Sequence, residues 1–300
     1  VFKAYNIGVR YVFPSYVFLY VFAGLLAAPG APALRARRAA ALALALWLAV
    51  VGTRSVPDGI AYFNPLAAGG GPRYLDDSNL DWGQASREVA RYLIERGDPD
   101  IVVGWQAFIA PSDYGARYTP LAGSPERVFV PTPGEYLISG NLLTGREMSP
   151  ATKGLTFDWL GRYRPFRVFA GSIYGYRFEY AERGREGFDE ATGANRLVEE
   201  DLLREGVERM RGLAETTGAG VYRQLASVFG ARLAARLVGQ GRCEDALAVC
   251  DEALRDWPAQ AGAMAARADA LLELGRFDEA RAEIERLKGA APGYGAIEDL

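Results

Sequence analysis

Asp76-Asp77-Ser78-Asn79-Leu80-Asp81-Trp82-Gly83-Gln84 places three carboxylates and two side-chain amides within nine residues. Hard oxygen donors at this density suit a cation such as calcium. Asp77, Asn79, Asp81 and Glu88 fall at the first, third, fifth and twelfth positions of a calcium-loop template. That template needs a glycine directly after Asp81, and Trp82 stands there instead. The alternative reading is a turn in which Asp and Asn side chains bond backbone amides and cap a helix starting near Gln84. The mismatch favours the turn, so neither a metal nor a cofactor is expected. The chain has no histidine, which removes Ser-His-Asp and Cys-His catalysis and every His-containing zinc site. Its two cysteines, Cys243 and Cys250, lie seven apart in a helical stretch, roughly 10 Å along the axis. That is too far for a disulfide, and they read as small core residues on one helix face.

The elements that hold these residues begin with two apolar runs. Half of the 300 residues are hydrophobic and the net charge is -3, so nothing suggests a nucleic-acid surface. The first residue is Val1 and an apolar run follows almost at once, which reads as a late piece of a longer protein. Tyr11 to Ala28 contains no charge, and five aromatics crowd its first half, as near a membrane interface. It lacks the basic region of a signal peptide. Ala39 to Thr53 is a second uncharged run, short for a span but extensible by Leu34 and the stem of Arg54. Buried core helices are the alternative for such short runs. Arg35, Arg37 and Arg38 lie between the two runs, and by the positive-inside rule that loop is cytoplasmic. Residues 1–55 are therefore expected to form two transmembrane helices. Everything after Arg54 then lies on the outer, periplasmic or extracellular side.

From residue 61 the pattern changes. Gln84 to Glu95 reads as an amphipathic helix, and Ile101–Trp105, Val128–Val130, Tyr136–Ser139, Phe166–Ala170 and Ile173–Phe178 read as short strands between Pro and Gly punctuation. Residues 61–181 are expected to form a small α/β domain, and residues 182–195 a linker.

Asn6-Ile7-Gly8-Val9-Arg10-Tyr11-Val12-Phe13-Pro14, Ala61 to Leu66, Tyr74 to Gln84, Pro111 to Ala116 and Pro133 to Gly145 together resemble the dolichyl-phosphate-mannose protein mannosyltransferase-like family. These are membrane glycosyltransferases of the GT-C architecture. The resemblance covers about residues 5 to 180, and its most specific string is D-S-N-L-D-W-G-Q. It implies hexosyl transfer from a polyprenyl-phosphate-linked sugar donor at the outer membrane face. It marks Asp77, Ser78, Asn79, Asp81, Trp82 and Gln84 as family-motif residues. The family's catalytic acid lies in an early external loop with no counterpart here, so no catalytic residue is assigned. Arg10 matches a basic residue that would pair with the donor phosphate. Tyr11 replaces the family's histidine, and an interface anchor is the other role open to Arg10.

The last 75 residues repeat at a spacing of 34: Gly241 and Gly275, Arg242 and Arg276, Ala246 and Ala280, Pro258 and Pro292. This is the tetratricopeptide period and layout. Helix pairs are expected over Val221–Gly239 with Cys243–Asp256 and over Gly262–Leu274 with Phe277–Lys288. A further helix over Arg196–Glu215 would cover one end, since two units are few. The whole is a membrane α-helical segment, then a small α/β domain, then an all-α tetratricopeptide repeat array within 196–300. Two functions follow. One is the C-terminal portion of a membrane glycosyltransferase with an interaction module. The other is a non-catalytic anchored repeat protein that recruits partners at the outer membrane face. The expected partners are the lipid bilayer, the polyprenyl-phosphate sugar donor, and a protein or peptide on the repeats.

Overall fold

The computed structural model describes residues 13–26, 34–56, 59–62, 80–121, 131–144, 157–181 and 186–294. Helices α1 (Phe13–Leu26) and α2 (Leu34–Ser55) come first. α1 has 14 residues, about 21 Å of helix against a hydrocarbon core of about 30 Å. α2 has 22 residues and already contains Arg35, Arg37 and Arg38. These arginines were expected in a loop. They enter the helix because Leu, Ala and Arg are good helix formers and no breaker follows Pro32. Among the described residues no helix is long and apolar enough to cross a membrane, so the two expected spans are not found.

The next part is a mixed sheet sandwiched between helices. Its elements are α3 (Ser86–Arg96), β1 (Val102–Gly104), β2 (Thr119–Pro120), β3 (Gly134–Ser139), the one-turn α4 (Gly140–Thr144), β4 (Arg167–Phe169), β5 (Ile173–Tyr180), β6 (Gly187–Asp189) and β7 (Ala194–Leu197). The strand order is β2-β1-β3-β5-β7-β6, with β4 paired to β5. β1 runs parallel to β2 and β3, β3 is antiparallel to β5, and β5 is parallel to β7. β5 divides one edge between two partners: Ile173 to Gly175 pair with β4, and Phe178 to Tyr180 pair with β7.

From residue 187 on, the segment 182–195, expected as a linker, is strand structure: β6 and the first two residues of β7 lie in it, and β7 leads into the next helix after one residue. The short run Ala194-Asn195-Arg196-Leu197 has little strand character of its own, and pairing with the distant β5 makes it one. The expected strand at Val128–Val130 lies outside the described residues.

Side chains alternate across the sheet with the strand period of two. Ile101, Val103, Leu137 and Ile173 pack with Val89, Ala90 and Leu93 of α3. Val102, Tyr136, Ile138, Tyr176 and Phe178 face the other way, into one cluster with the C-terminal helices. Those helices are α5 (Glu199–Thr217), α6 (Gly220–Gly239), α7 (Cys243–Asp256), α8 (Ala261–Glu273) and α9 (Phe277–Ala290). α5 contributes Leu202, Leu203 and Met210 to the shared core, and α6 contributes Phe229, Leu233 and Leu237. The repeat array therefore leans on the sheet through α5, which solves the problem of two repeats being too few to stand alone.

Candidate functional site

The 34-residue period appears as matched backbone geometry. Gly241 and Gly275 both adopt left-handed backbone, φ 74° and 73°, which glycine enters without a Cβ penalty. The Arg242 N–H donates to the Leu237 carbonyl at 2.9 Å, and the Arg276 N–H donates to that of Leu271 at 2.9 Å. Each arginine then bonds the acid three residues on, Arg242 to Asp245 and Arg276 to Glu279. Ala246 and Ala280 are fully buried where the paired helices meet. Repeating units of this kind expose successive helix faces for binding.

A cleft of about 350 Å³ opens between α5 and α7 over α6. Val207, Leu233 and Val249 give it apolar patches, Gly230 lies on its floor, and Arg204, Glu208, Arg211, Arg242, Asp245 and Glu252 supply its charges. Most of these charges are paired. Arg211 holds Glu252 at 2.8 Å and Asp256 at 2.8 Å. Glu200 accepts from Arg204 and Arg242. Burial would raise the Glu200 carboxyl, but these two guanidinium groups outweigh it and hold it below its usual range. Glu208 has no ion pair among the described residues. Cys243 and Cys250 are free and buried, and burial pushes the Cys250 thiol up to about 12.

Of the motif residues marked in the sequence, Arg10, Asp77, Ser78 and Asn79 lie outside the described residues. Asp81, Trp82 and Gln84 come together in one turn before α3. The Asp81 carboxylate is buried; it accepts the Gly83 N–H at 2.8 Å and the Ser139 hydroxyl at 3.2 Å. Gln84 Oε1 accepts the Trp82 N–H and its Nε2 donates to the Leu80 carbonyl, both at 2.8 Å. Side chains that close on their own backbone in this way form a turn. Glu88, the twelfth position of the calcium template, instead pairs with Arg167 and accepts the Ala170 N–H. Among the described residues no group of three or more acidic, Cys or His side chains could hold a metal.

Burial raises the Asp81 pKa against the opposing bonds from Gly83, Ser139 and Ser172. A raised folded-state pKa means the folded chain keeps this proton longer than the unfolded chain. The contribution of Asp81 to stability is thus greatest at low pH and falls as pH rises through the raised value.

The sequence reading missed two groups here. Glu135 of β3 is buried and accepts from Tyr92, Arg96 and Arg177 at 2.6, 2.8 and 3.0 Å. This network ties α3 to β3 and β5, and burial together with Glu135 pushes Tyr92 up to about 12. The second group lines a groove of about 660 Å³ formed by Gly83, Gln84, Arg87, Glu88, Arg91, Tyr114 and Ala170. The spacing of Arg87 and Arg91, one helical turn apart, was its only signal in the sequence.

Residues 237–300 match the tetratricopeptide repeat family model. No curated protein and no solved structure matches the chain. Residues 237–300 thus form a tetratricopeptide repeat module, a class built for protein–protein interaction, and the α/β layer supports it.

Proposed function

We propose that the chain is an anchored interaction protein: the repeat array binds a partner protein or peptide, and α1 and α2 seat the chain in a lipid bilayer. The repeat array carries this reading, since its turns at Gly241 and Gly275 share one geometry and residues 237–300 match the tetratricopeptide family. The cleft between α5 and α7, with apolar patches and charged walls, suits side chains of a bound segment. The anchoring half is supported by the leucines and aromatics that α1 and α2 leave exposed. A helix that is apolar on all sides is found inside protein or inside lipid. With Arg35, Arg37 and Arg38 on the cytoplasmic side, the array stands on the outer side.

The test is site-specific photo-crosslinking in membranes from positions across the array surface, beginning at Glu208. A discrete protein adduct that Arg211→Glu removes supports the reading. An array surface that yields no protein adduct at any position contradicts it.

A second reading makes this chain the C-terminal portion of a glycosyltransferase that uses a polyprenyl-phosphate-linked sugar. Its support is the family resemblance, strongest at D-S-N-L-D-W-G-Q, whose Asp81 and Gln84 fix the turn before α3. The upstream reading frame decides it. Further apolar spans and an acid-bearing external loop in frame favour the transferase, whereas a start codon just before Val1 removes it. The 300-residue chain alone is expected to transfer no sugar, and turnover by it would overturn that expectation.

A further inference from the structure

The groove beside α3 has a rim unlike the rest of the α/β surface. Phe108 is 95% exposed and Trp82 50%, with Ile109 and Tyr114 also exposed beside them. Two hydrogen bonds pin this rim in place: Ser86 Oγ donates to the Ile109 carbonyl at 2.6 Å and Trp105 Nε1 donates to the same oxygen at 2.9 Å. Asp113 accepts the Ala110 N–H and fixes the next turn. The backbone carrying Phe108 is thus held on both sides of its exposed ring.

Charge runs along the same edge. Arg87 and Arg91 are exposed on the groove wall. Among the described residues neither has an ion-pair partner, while Glu88 between them is taken by Arg167 and the Ala170 N–H. Arg87 lies over the Tyr114 ring, 5.8 Å from its centre.

Position supplies the third observation. The segment that follows α2 packs on the Gly171 turn: a Cβ at Gly171 would lie 2.9 Å from the Ala61 Cβ. The neighbouring Ala170 lines the groove. Only three residues lie between Ser55, the end of α2, and Gly59, the start of that segment, and the four Cα–Cα steps reach at most about 14 Å. The groove therefore lies near the exit of the apolar helix.

We propose that this rim docks the α/β domain onto an anionic lipid surface. Trp82, Phe108 and Tyr114 enter the interface, where amphipathic rings are enriched. Arg87 and Arg91 meet the lipid phosphates. The inference rests on the anchoring reading for α1 and α2, and adds a second contact and a required lipid charge. Docking fixes the orientation in which the repeat array is presented.

The test uses the full chain in lipid nanodiscs. Cys243 and Cys250 are buried, so Phe108→Cys supplies the one accessible thiol for an environment-sensitive dye. In discs of phosphatidylcholine with phosphatidylglycerol, the dye is expected to emit as in lipid and to be quenched by headgroup-level nitroxide lipids. Arg87→Gln and Arg91→Gln should each lower the ratio of docked to undocked rim about fivefold. Discs of phosphatidylcholine alone should resemble a chain that carries Arg87→Gln and Arg91→Gln together. Water-like emission from a chain that has entered the phosphatidylglycerol discs overturns the docking while anchoring stands. Emission indifferent to both arginines and to phosphatidylglycerol also overturns it, as does binding of the dye-labelled rim to a protein in place of lipid. A chain that enters no disc removes docking and anchoring together.

Discussion

α2 and α6 are helices of similar length, 22 and 20 residues, and each spreads its apolar residues around the helix among four arginines or three arginines and a glutamine, with no single apolar stripe. Their surroundings are opposite. α6 lies at the centre of the array, with Tyr222, Ala226, Phe229, Ala234 and Leu237 all buried. α2 leaves Leu42 71% exposed and Leu46 67% exposed. A leucine moved fully from water into an apolar setting gains about 1.5–3 kcal/mol. The same kind of sequence has therefore collected that gain in α6, from its neighbours in the fold, and has left it uncollected in α2. What distinguishes them in sequence is small: α6 carries Gly230 and Ser227 where another helix approaches, and α2 carries neither device along its leucine run.

The comparison can be broken most sharply in α6. Phe229→Ala empties a site with no solvent contact, and the expected loss is about 3–5 kcal/mol in denaturant unfolding. A loss near zero would mean that α6 is not the core of the array. Gly230→Val comes next. A Cβ at Gly230 would lie 3.0 Å from the Ala253 Cβ, so α6 and α7 must separate at a cost of about 1–3 kcal/mol. Ser227 Oγ donates to the Ala253 carbonyl at 2.7 Å across the same buried contact. Ser227→Ala should cost about 0.5–1.5 kcal/mol, the net worth of one hydrogen bond, because that carbonyl keeps the Trp257 N–H at 2.9 Å. The smallest effect belongs to α2. Leu44→Ala and Leu46→Ala should each shift unfolding of the α/β and repeat body by less than about 0.5 kcal/mol in detergent. A larger shift would show that α2 packs on the body after all.

The legible part of the sequence was the part whose geometry is local. The pattern Gly-Arg, then an acid and an alanine, fixes a left-handed turn and a helix start within six residues, so Gly241 and Gly275 could be paired by spacing alone. α3 and β5 declared themselves through their apolar periods. β6 and β7 did not, because Gly187–Asp189 and Ala194–Leu197 are short and partly polar and become strands only through pairing with each other and with β5. The start of α2 was placed five residues late because the arginines looked like a loop. At the candidate sites, the turn at Asp81–Gln84 followed from the tendency of Asp and amide side chains to bond nearby backbone. The groove did not follow, since Tyr114 and Ala170 reach Arg87 only through the tertiary fold.

Spin labelling at Leu44→Cys tests the anchoring claim most directly. With the full chain reconstituted in lipid, the account predicts a label more accessible to molecular oxygen than to a polar nickel complex, at a depth within the acyl chains. A label at that position that favours the nickel complex, on a chain that remains in the aqueous fraction without detergent, would contradict it.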